Sequence, residues 1–432
     1  MKSGTSRRAQ RAALLRTRRA RRVRAVSAVV GALAVVGVGF APNAAADDVQ
    51  SKQWYLDQMQ AEKMWKVSTG RGVKVAVIDT GVNPDTPSLK GQVLVDDVPK
   101  AVSYHSTVDF DGHGTSMAEL IAGSGAGGSL KGLAPGAKIV PYRVDLKGLR
   151  VGSAEQKKTP EPWQAIRAAA DTDAKIISMS IGGYVSPEEE EAVKYAASKG
   201  KLMIAAVGNS GTGTGDGNVD YPAAYPYVVG IAAVDSSFTV TKFSSYGNYV
   251  DLVAPGTGIP GWCDTKFHAY CDTGGTSQAT AIASAAAALI WSAHPDWTVN
   301  QVTRSLIDTA SRTWAENDPS KYAGYGFVRP RMVLENAKYD AGAPNVDPLA
   351  KENGGNLLAK SASSSSSATS TPSSSVTSKN PGKGSAGGTS AAGSSAKSSN
   401  ESNTLWIALG GAAAVLVIGG AGVAVARARR AR

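Results

Sequence analysis

Cysteine is nearly missing from this sequence, whose 432 residues contain only Cys263 and Cys271. Neither stands among other cysteine or histidine residues at a spacing typical of a zinc site. In an exported protein, which meets oxidising surroundings, a pair of cysteines is expected to form a disulfide rather than to remain as two thiols. We therefore predict a disulfide between Cys263 and Cys271.

The sequence also lacks an internal repeat, which argues against a solenoid or propeller. Its net charge of +11 suggests a nucleic-acid partner at first, but the positive charges are concentrated at the two ends. The first 24 residues hold Lys2 and nine arginines without one acidic residue, and the C-terminal tail adds four arginines. The rest of the chain is therefore net negative, which excludes a basic groove for phosphates and a nucleic-acid partner.

The N-terminal region has the anatomy of a secretory signal peptide. A basic segment is followed by an apolar run over residues 25–40 and by Ala44, Ala45 and Ala46. Small residues after an apolar run are typical of a cleavage site. We predict cleavage after Ala46; an uncleaved signal anchor is the alternative interpretation.

Residues 405–426 contain no charged side chain and end next to arginines. As a helix, this segment would span about 33 Å, which is enough for the hydrocarbon core of a bilayer. Arginines beside a membrane span tend to stay on the cytoplasmic side. The pattern predicts a single-pass type I protein of the cell membrane, with the body of the chain outside.

The predicted body and the predicted membrane segment are separated by a stretch rich in Ser, Gly, Ala and Thr. Such a stretch offers few apolar side chains to offset the entropy of ordering, so we interpret it as a flexible linker. The predicted organisation is as follows: signal peptide 1–46, N-terminal extension 47–72, main domain 73–340, linker 341–403, transmembrane helix 404–426 and cytoplasmic tail 427–432.

Within the body, short apolar runs alternate with helical stretches. Strands are predicted over 74–78, 139–144, 175–179, 202–206 and 228–234, and helices over 162–171 and 187–199. This alternation predicts an α/β fold in which helices cover both faces of a mostly parallel sheet. Functional groups in such folds tend to follow the carboxyl ends of the strands.

Two candidate functional residues stand in short motifs, one after a predicted strand and one before a helical stretch. Asp79 ends the run VAVID, and His113 stands in DGHGT just before a helical stretch. Taken singly, each has an ordinary explanation, since an aspartate after a strand is commonly a turn or cap residue and a lone histidine is commonly structural.

Two further candidates are Ser277 and Asn209. Ser277 stands in GGTS at the start of a long alanine-rich helix, where the helix N-terminus favours negative charge, although an ordinary serine cap has the same position. Asn209 stands in AAVGN, where it is either a turn residue or an amide directed at a developing oxyanion.

Taken together, these motifs resemble the signatures of the subtilases, the peptidase S8 family of serine proteases. The chain order Asp79, His113, Ser277 is the order of the subtilisin triad. The motifs VIDTGV, DGHGT and GTS resemble the three family signatures, and AAVGN resembles the oxyanion segment. The segment Ser180, Ile181, Gly182 and Gly183 resembles the strand that pairs with the substrate backbone. The resemblance covers essentially the whole body and implies a subtilisin-like three-layer fold.

The resemblance also implies a mechanism and a set of roles. Ser277 would attack the scissile carbonyl, with His113 as general base and Asp79 holding the imidazole. Asn209 would bind the oxyanion. The reaction would pass through an acyl-enzyme and require no metal or organic cofactor. No spacing of acidic residues identifies a calcium site, so calcium binding stays an open question.

The order of segments is similar to that of the mycosins, membrane-bound subtilases of actinobacterial type VII secretion systems. This implies protein or peptide substrates and association with a secretion membrane complex. Two other functions remain: a general surface protease or sheddase, and a scaffold that stabilises a secretion complex. One departure concerns the helix after Ser277, where Ala281 replaces a proline common in subtilases and Gln278 replaces an apolar residue.

Overall fold

A computed structural model describes residues 49–146, 148–211 and 220–354. The predicted signal peptide, transmembrane helix and cytoplasmic tail lie outside these residues, as does most of the predicted linker. Within the described ranges, no helix has the length and apolar character needed to cross a membrane.

The described residues form eight strands and nine α-helices. The strands are β1 (Lys74–Asp79), β2 (Lys138–Arg143), β3 (Ile176–Met179), β4 (Leu202–Ala206), β5 (Val228–Val234), β6 (Leu252–Pro255), β7 (Thr257–Trp262) and β8 (Tyr270–Gly274). The helices are α1 (Trp54–Gln58), α2 (Ala61–Trp65), α3 (His113–Ala122), α4 (Ala154–Lys158), α5 (Pro162–Ala170), α6 (Pro187–Ser198), α7 (Thr276–Ala293), α8 (Val299–Asp308) and α9 (Pro330–Leu334).

Six of the strands form a parallel sheet in the order β2-β1-β3-β4-β5-β6. The five predicted strands are all present, with ends that agree to within one residue. The α/β fold with a mostly parallel central sheet is therefore confirmed. Because β1 and β3 are neighbours, the chain segments that follow them meet at the same edge of the sheet.

The sheet is buried on both faces, which explains its continuous apolar strands. Along β1, Val75 and Val77 join one hydrophobic core, which also holds side chains of α3 and α7. Ala76 and Ile78 join a second core on the opposite face, against α5 and α6. The alternation of side chains along a strand thus produces three layers.

Helix α7 runs through the first core as the central helix of its layer. Fifteen of its eighteen residues are buried, and seven of these are alanine, whose small side chain lets the helix lie close to the sheet. Ala281, the residue at the position where relatives commonly have proline, is fully buried in the uninterrupted helix. An alanine there retains the backbone N–H that proline would remove.

The N-terminal extension is fastened to the body by side chains of its first residues. Trp54 Nε1 donates a hydrogen bond to the carbonyl oxygen of Thr257 (3.1 Å), and Trp65 Nε1 donates one to Leu133 (2.8 Å). Tyr55 and Met64 are fully buried. The extension is thus part of the packed body.

Strands β7 and β8 form an antiparallel hairpin outside the main sheet. The predicted disulfide between Cys263 and Cys271 is present at the end of this hairpin, with the two Cα atoms 5.4 Å apart. The hairpin also contacts α3, because the Tyr270 hydroxyl donates a hydrogen bond to the buried carboxylate of Glu119 (2.8 Å). Neither β6 nor this hairpin was predicted from the sequence.

Residues 341–354, at the start of the predicted linker, lie against the body. Leu349 is buried, and Asn353 Oδ1 accepts a hydrogen bond from the backbone N–H of Tyr227 (2.6 Å). Tyr227 directly precedes β5. The last described residues are therefore held near the amino ends of β4 and β5.

Candidate active site

Asp79 is the last residue of β1 and is fully buried. Its Oδ1 accepts hydrogen bonds from the backbone N–H of Thr80 (2.8 Å) and from Nδ1 of His113 (2.7 Å). The two residues are 34 positions apart in sequence, and the fold joins them directly. A buried carboxylate that binds one ring nitrogen fixes the orientation of the imidazole.

His113 begins α3, after Gly112 in the left-handed conformation (φ 84°). Gly114 lies so close to β1 that a Cβ atom on it would approach the carbonyl oxygen of Gly81 to 2.2 Å. The absence of a side chain at Gly114 therefore allows α3 to start against the end of β1. This contact brings His113 to Asp79.

Asp109, which the sequence analysis did not single out, organises the loop before His113. Its Oδ1 accepts hydrogen bonds from Thr80 Oγ1 and from the backbone N–H groups of Asp111 and Gly112, while its Oδ2 accepts two from Thr115. These distances lie between 2.6 and 3.0 Å. Asp109 is a positioning residue, and no short motif in the sequence identifies it.

The electrostatics of the loop act mainly on His113. Burial of the imidazole alone would lower its pKa, but the carboxylate of Asp79 outweighs this effect through its charge and its hydrogen bond. Asp109 and Asp111 add to the negative potential, and together they raise the pKa of His113 to about 9 from the ordinary value of 6.5. The imidazolium form is thus strongly favoured beside these three carboxylates.

Ser277 is the second residue of α7 and is half-buried. Its Oγ donates a hydrogen bond to the carbonyl oxygen of Ser180 (3.2 Å), and Ser180 Oγ donates one to the carbonyl oxygen of Ser277 (2.9 Å). Ser180 directly follows β3. The start of α7 is therefore held at the edge of the sheet where β1 also ends.

Asn209 follows β4, and its side chain reaches the start of α7. Its Oδ1 accepts hydrogen bonds from the backbone N–H (2.9 Å) and the hydroxyl (3.1 Å) of Thr276, the residue before Ser277. Among the described residues, no acceptor binds its Nδ2. Because Oδ1 is fixed, the exposed amide presents Nδ2 to a group bound at Ser277.

The segment from Ser180 to Gly183 continues away from Ser277. The N–H and the carbonyl of Gly183 both pair with Tyr221, at 2.9 and 3.1 Å. Ile181 and Gly182 line a cleft of about 860 Å³ together with Gly183. This cleft is the space into which a chain bound along the segment would extend.

Two further features of the candidate site are the contact made by Gln278 and the arrangement of possible metal ligands. Gln278, which follows Ser277, donates a hydrogen bond from Nε2 to Thr273 Oγ1 (3.0 Å) and thereby links α7 to β8. Among residues 49–146, 148–211 and 220–354, no group of three or more His, Cys, Asp or Glu side chains is arranged to hold a metal ion.

The chain matches the Subtilase family over residues 70–326, which is more than half of its length. It is 33% identical to subtilisin Savinase of Lederbergia lenta over 273 residues, covering 62% of this chain and 94% of the relative. It is likewise 33% identical to thermitase of Thermoactinomyces vulgaris over 287 residues, with 63% and 95% covered.

The chain is also similar to solved structures of proteases. The MycP3 protease from the type VII (ESX-3) secretion system is 28% identical, with a TM-score of 0.53, and the match covers 65% of this chain and 88% of that one. MycP1, a serine protease described as an essential component of the type VII (ESX-1) secretion system, is 27% identical, with a TM-score of 0.53 and coverage of 68% and 90%. The chain is therefore a member of the subtilase family and a subtilisin-like serine protease.

Proposed function

We propose that this protease is anchored in the cell membrane and cleaves secreted proteins at the outer face, with Asp79, His113 and Ser277 as its catalytic triad. The observation that carries the triad is the 2.7 Å hydrogen bond between Asp79 and His113 at the edge where Ser277 begins α7. Buried aspartate, imidazole and serine are the three parts of this type of catalyst.

The reaction follows from these positions. When a peptide is bound, the Ser277 hydroxyl turns from the Ser180 carbonyl toward His113 and attacks the scissile carbonyl carbon. Its proton passes to Nε2 of His113, because Nδ1 is held by Asp79. The imidazolium then donates this proton to the leaving amine as the C–N bond breaks, and an acyl-enzyme remains. Water, deprotonated by the same imidazole, releases the acyl product.

The negative oxygen that forms during this attack needs hydrogen-bond donors. We assign this role to Nδ2 of Asn209 and to the backbone N–H of Ser277. The Thr276 contacts preorganise the Asn209 amide, and the N-terminus of α7 adds a favourable dipole.

The anchored location rests on the sequence. The uncharged segment 405–426 has the length of a membrane span, and the arginines after it favour a cytoplasmic end. With a signal peptide over 1–46, this gives a single-pass protein with an extracellular catalytic domain. The similarity to the MycP1 and MycP3 proteases supports a role in type VII secretion.

This location can be tested by comparing three strains that express the wild-type chain, Ser277→Ala or a chain truncated before Thr404. We expect Ser277→Ala to leave specific secreted proteins uncleaved. Truncation should release active protease into the medium and also reduce cleavage, because substrates are no longer met at the membrane. Quantitative proteomics of the surface and secreted fractions measures both effects.

The results of this comparison distinguish the anchored secretion protease from a scaffold and from a sheddase. A Ser277→Ala strain with normal processing and normal secretion would contradict a proteolytic role. If a further strain that lacks the whole protein lost secretion while Ser277→Ala secreted normally, this would favour the scaffold. Cleavage of cell-surface proteins with secreted ones untouched would favour a sheddase. A truncated chain that stays membrane-bound would contradict the anchor.

The pKa of His113 predicts the pH dependence of hydrolysis. The general base must be neutral, so kcat/KM should rise with pH and reach half of its maximum near pH 9 rather than near 6.5. A pH series with a peptide substrate measures this, and Asp79→Asn should move the midpoint to lower pH. A wild-type midpoint near 6.5 would contradict the electrostatic assignment. Folding raises the pKa of His113, so protonation of its imidazole also stabilises the folded state. This stabilisation is complete below about pH 6.5 and is lost as the pH rises through about 9.

A further inference from the structure

The cleft of about 860 Å³ begins beside the nucleophile. It is lined by Ile181 and Gly182, which continue from the Ser180 carbonyl that binds Ser277, and by Ser210, the residue after Asn209. A peptide held at Ser277 therefore places its neighbouring side chains in this cleft. The chemistry of the lining decides which side chains fit.

At the end near Ser277, the wall of the cleft is acidic. A Cβ atom on Gly182 would lie 2.7 Å from Cγ of Asp220, so the carboxylate of Asp220 packs directly against the Ser180–Gly183 segment. Asp220 is itself part of the lining. The carboxylate is thus located next to the path of the substrate.

The lining includes three more carboxylates, which belong to Asp145 after β2, Glu161 before α5 and Glu189 in α6. Burial raises the pKa of Glu161, and the nearby charge of Asp145 raises it further. Asp145 accepts a hydrogen bond from Gln156 (2.9 Å), which is a neutral partner. A carboxylate whose pKa is raised by a neighbouring carboxylate indicates negative potential in this part of the cleft.

Glu189 is the most informative of these groups. It lies in the first turn of α6 and is only 6% exposed. Among the described residues, none donates a hydrogen bond to its carboxylate or forms an ion pair with it. Burial without a partner raises its pKa to about 7. Buried acidic side chains are normally paired, so a nearly buried carboxylate that lines a cleft without a partner points to an absent ligand.

The described lining of the cleft offers no cation that could pair with the carboxylate of Glu189. None of its described lining residues is lysine or arginine. Lys194, on the same helix as Glu189, instead pairs with Glu190 and Glu191, at 2.8 and 3.0 Å. The carboxylate of Glu189 is therefore left without a cationic partner among the described residues.

We propose that a lysine or arginine side chain of the substrate peptide enters this cleft and pairs with the carboxylate of Glu189, making the enzyme selective for basic segments beside the scissile bond. The inference rests on the proposed function, because it assumes that the peptide is held at Ser277. The added charge-assisted hydrogen bond and the relief of an unpaired carboxylate favour such a peptide by about 10- to 100-fold over a neutral one.

The test uses the full-length chain in detergent and a set of quenched fluorescent peptides. Each peptide carries one arginine at a single position before or after the scissile bond, and its matched partner carries citrulline, a neutral side chain of the same shape. We expect one position at which arginine raises kcat/KM by at least about tenfold over citrulline. In Glu189→Gln this ratio should fall close to one, and in Glu189→Lys it should fall below one.

A matched control is Glu191→Gln, which removes an exposed carboxylate from the same helix and should retain the arginine preference. Melting temperatures and circular dichroism verify that the variants fold. The inference is overturned if the wild type cleaves arginine and citrulline peptides equally, or if Glu189→Gln retains the preference. Failure to cleave any peptide would instead contradict the proposed function.

Discussion

Replacing Ser277 with alanine is expected to abolish peptide hydrolysis, with a loss in kcat of about 10⁶-fold, a magnitude established for subtilisin rather than derived from this structure. The substitution removes the hydroxyl oxygen that would form the acyl-enzyme, while Asp79 and His113 keep their hydrogen bond. The variant should also fail to react with a fluorophosphonate, which labels activated serines covalently. Labelling of the full-length chain, followed by gel fluorescence, measures this directly.

Ser292→Ala provides the control for this experiment. Ser292 lies near the other end of α7 and donates a hydrogen bond to Arg71 (2.7 Å), so its replacement perturbs the same helix away from the site. It should be labelled as the wild type is. Equal labelling of Ser277→Ala and wild type would mean that another serine is the nucleophile.

Replacing Asn209 with alanine should lower kcat by about 10²–10³-fold and leave KM nearly unchanged, again a magnitude known from subtilisin. The reason is that Nδ2 of Asn209 would act on the charge that develops only during attack, whereas the bound peptide carries a neutral carbonyl. Steady-state kinetics with a series of substrate concentrations separates the two constants.

Loss of Asn209 also removes two hydrogen bonds to Thr276, which hold the start of α7. The melting temperature therefore has to be measured beside the kinetics. Asn248→Ala, at an exposed turn before β6, is a suitable control and should leave both constants unchanged. If Asn209→Ala raised KM and left kcat intact, Asn209 would bind the ground-state substrate instead of the oxyanion.

The sequence predicted the parts of the fold whose signal is local. Strands such as β4 and β5 are short, β-branched or alanine-rich runs, and their burial on both faces makes them uniformly apolar. The β7–β8 hairpin escaped prediction because its strands contain glycine and proline and β8 is largely exposed, so neither periodicity nor propensity marks it.

Some residues of the candidate site could be identified from the sequence, and others only from the structure. Asp79, His113, Ser277 and Asn209 stand in motifs that can be read directly, and the fold brings them to one edge of the sheet. Asp109 and Glu189 could not be found in this way. Asp109 is marked by its burial and its hydrogen bonds, and Glu189 by its burial without a partner among the described residues. Both features depend on tertiary contacts that a single sequence does not display.

The hydrogen bond between Asn353 and Tyr227 lies at the end of the sheet opposite to the candidate active site. Parallel strands have their carboxyl ends on one side, where Asp79 ends β1 and where Ser180 and Asn209 follow β3 and β4. Asn353 is held on the other side, before β5 begins. Gly354, the last described residue, is therefore located at the end of the sheet opposite to Asp79, Ser180 and Asn209. A pulling force applied at Gly354 would be borne first by the contacts of Leu349 and Asn353, at the strand ends remote from Ser180 and Asn209.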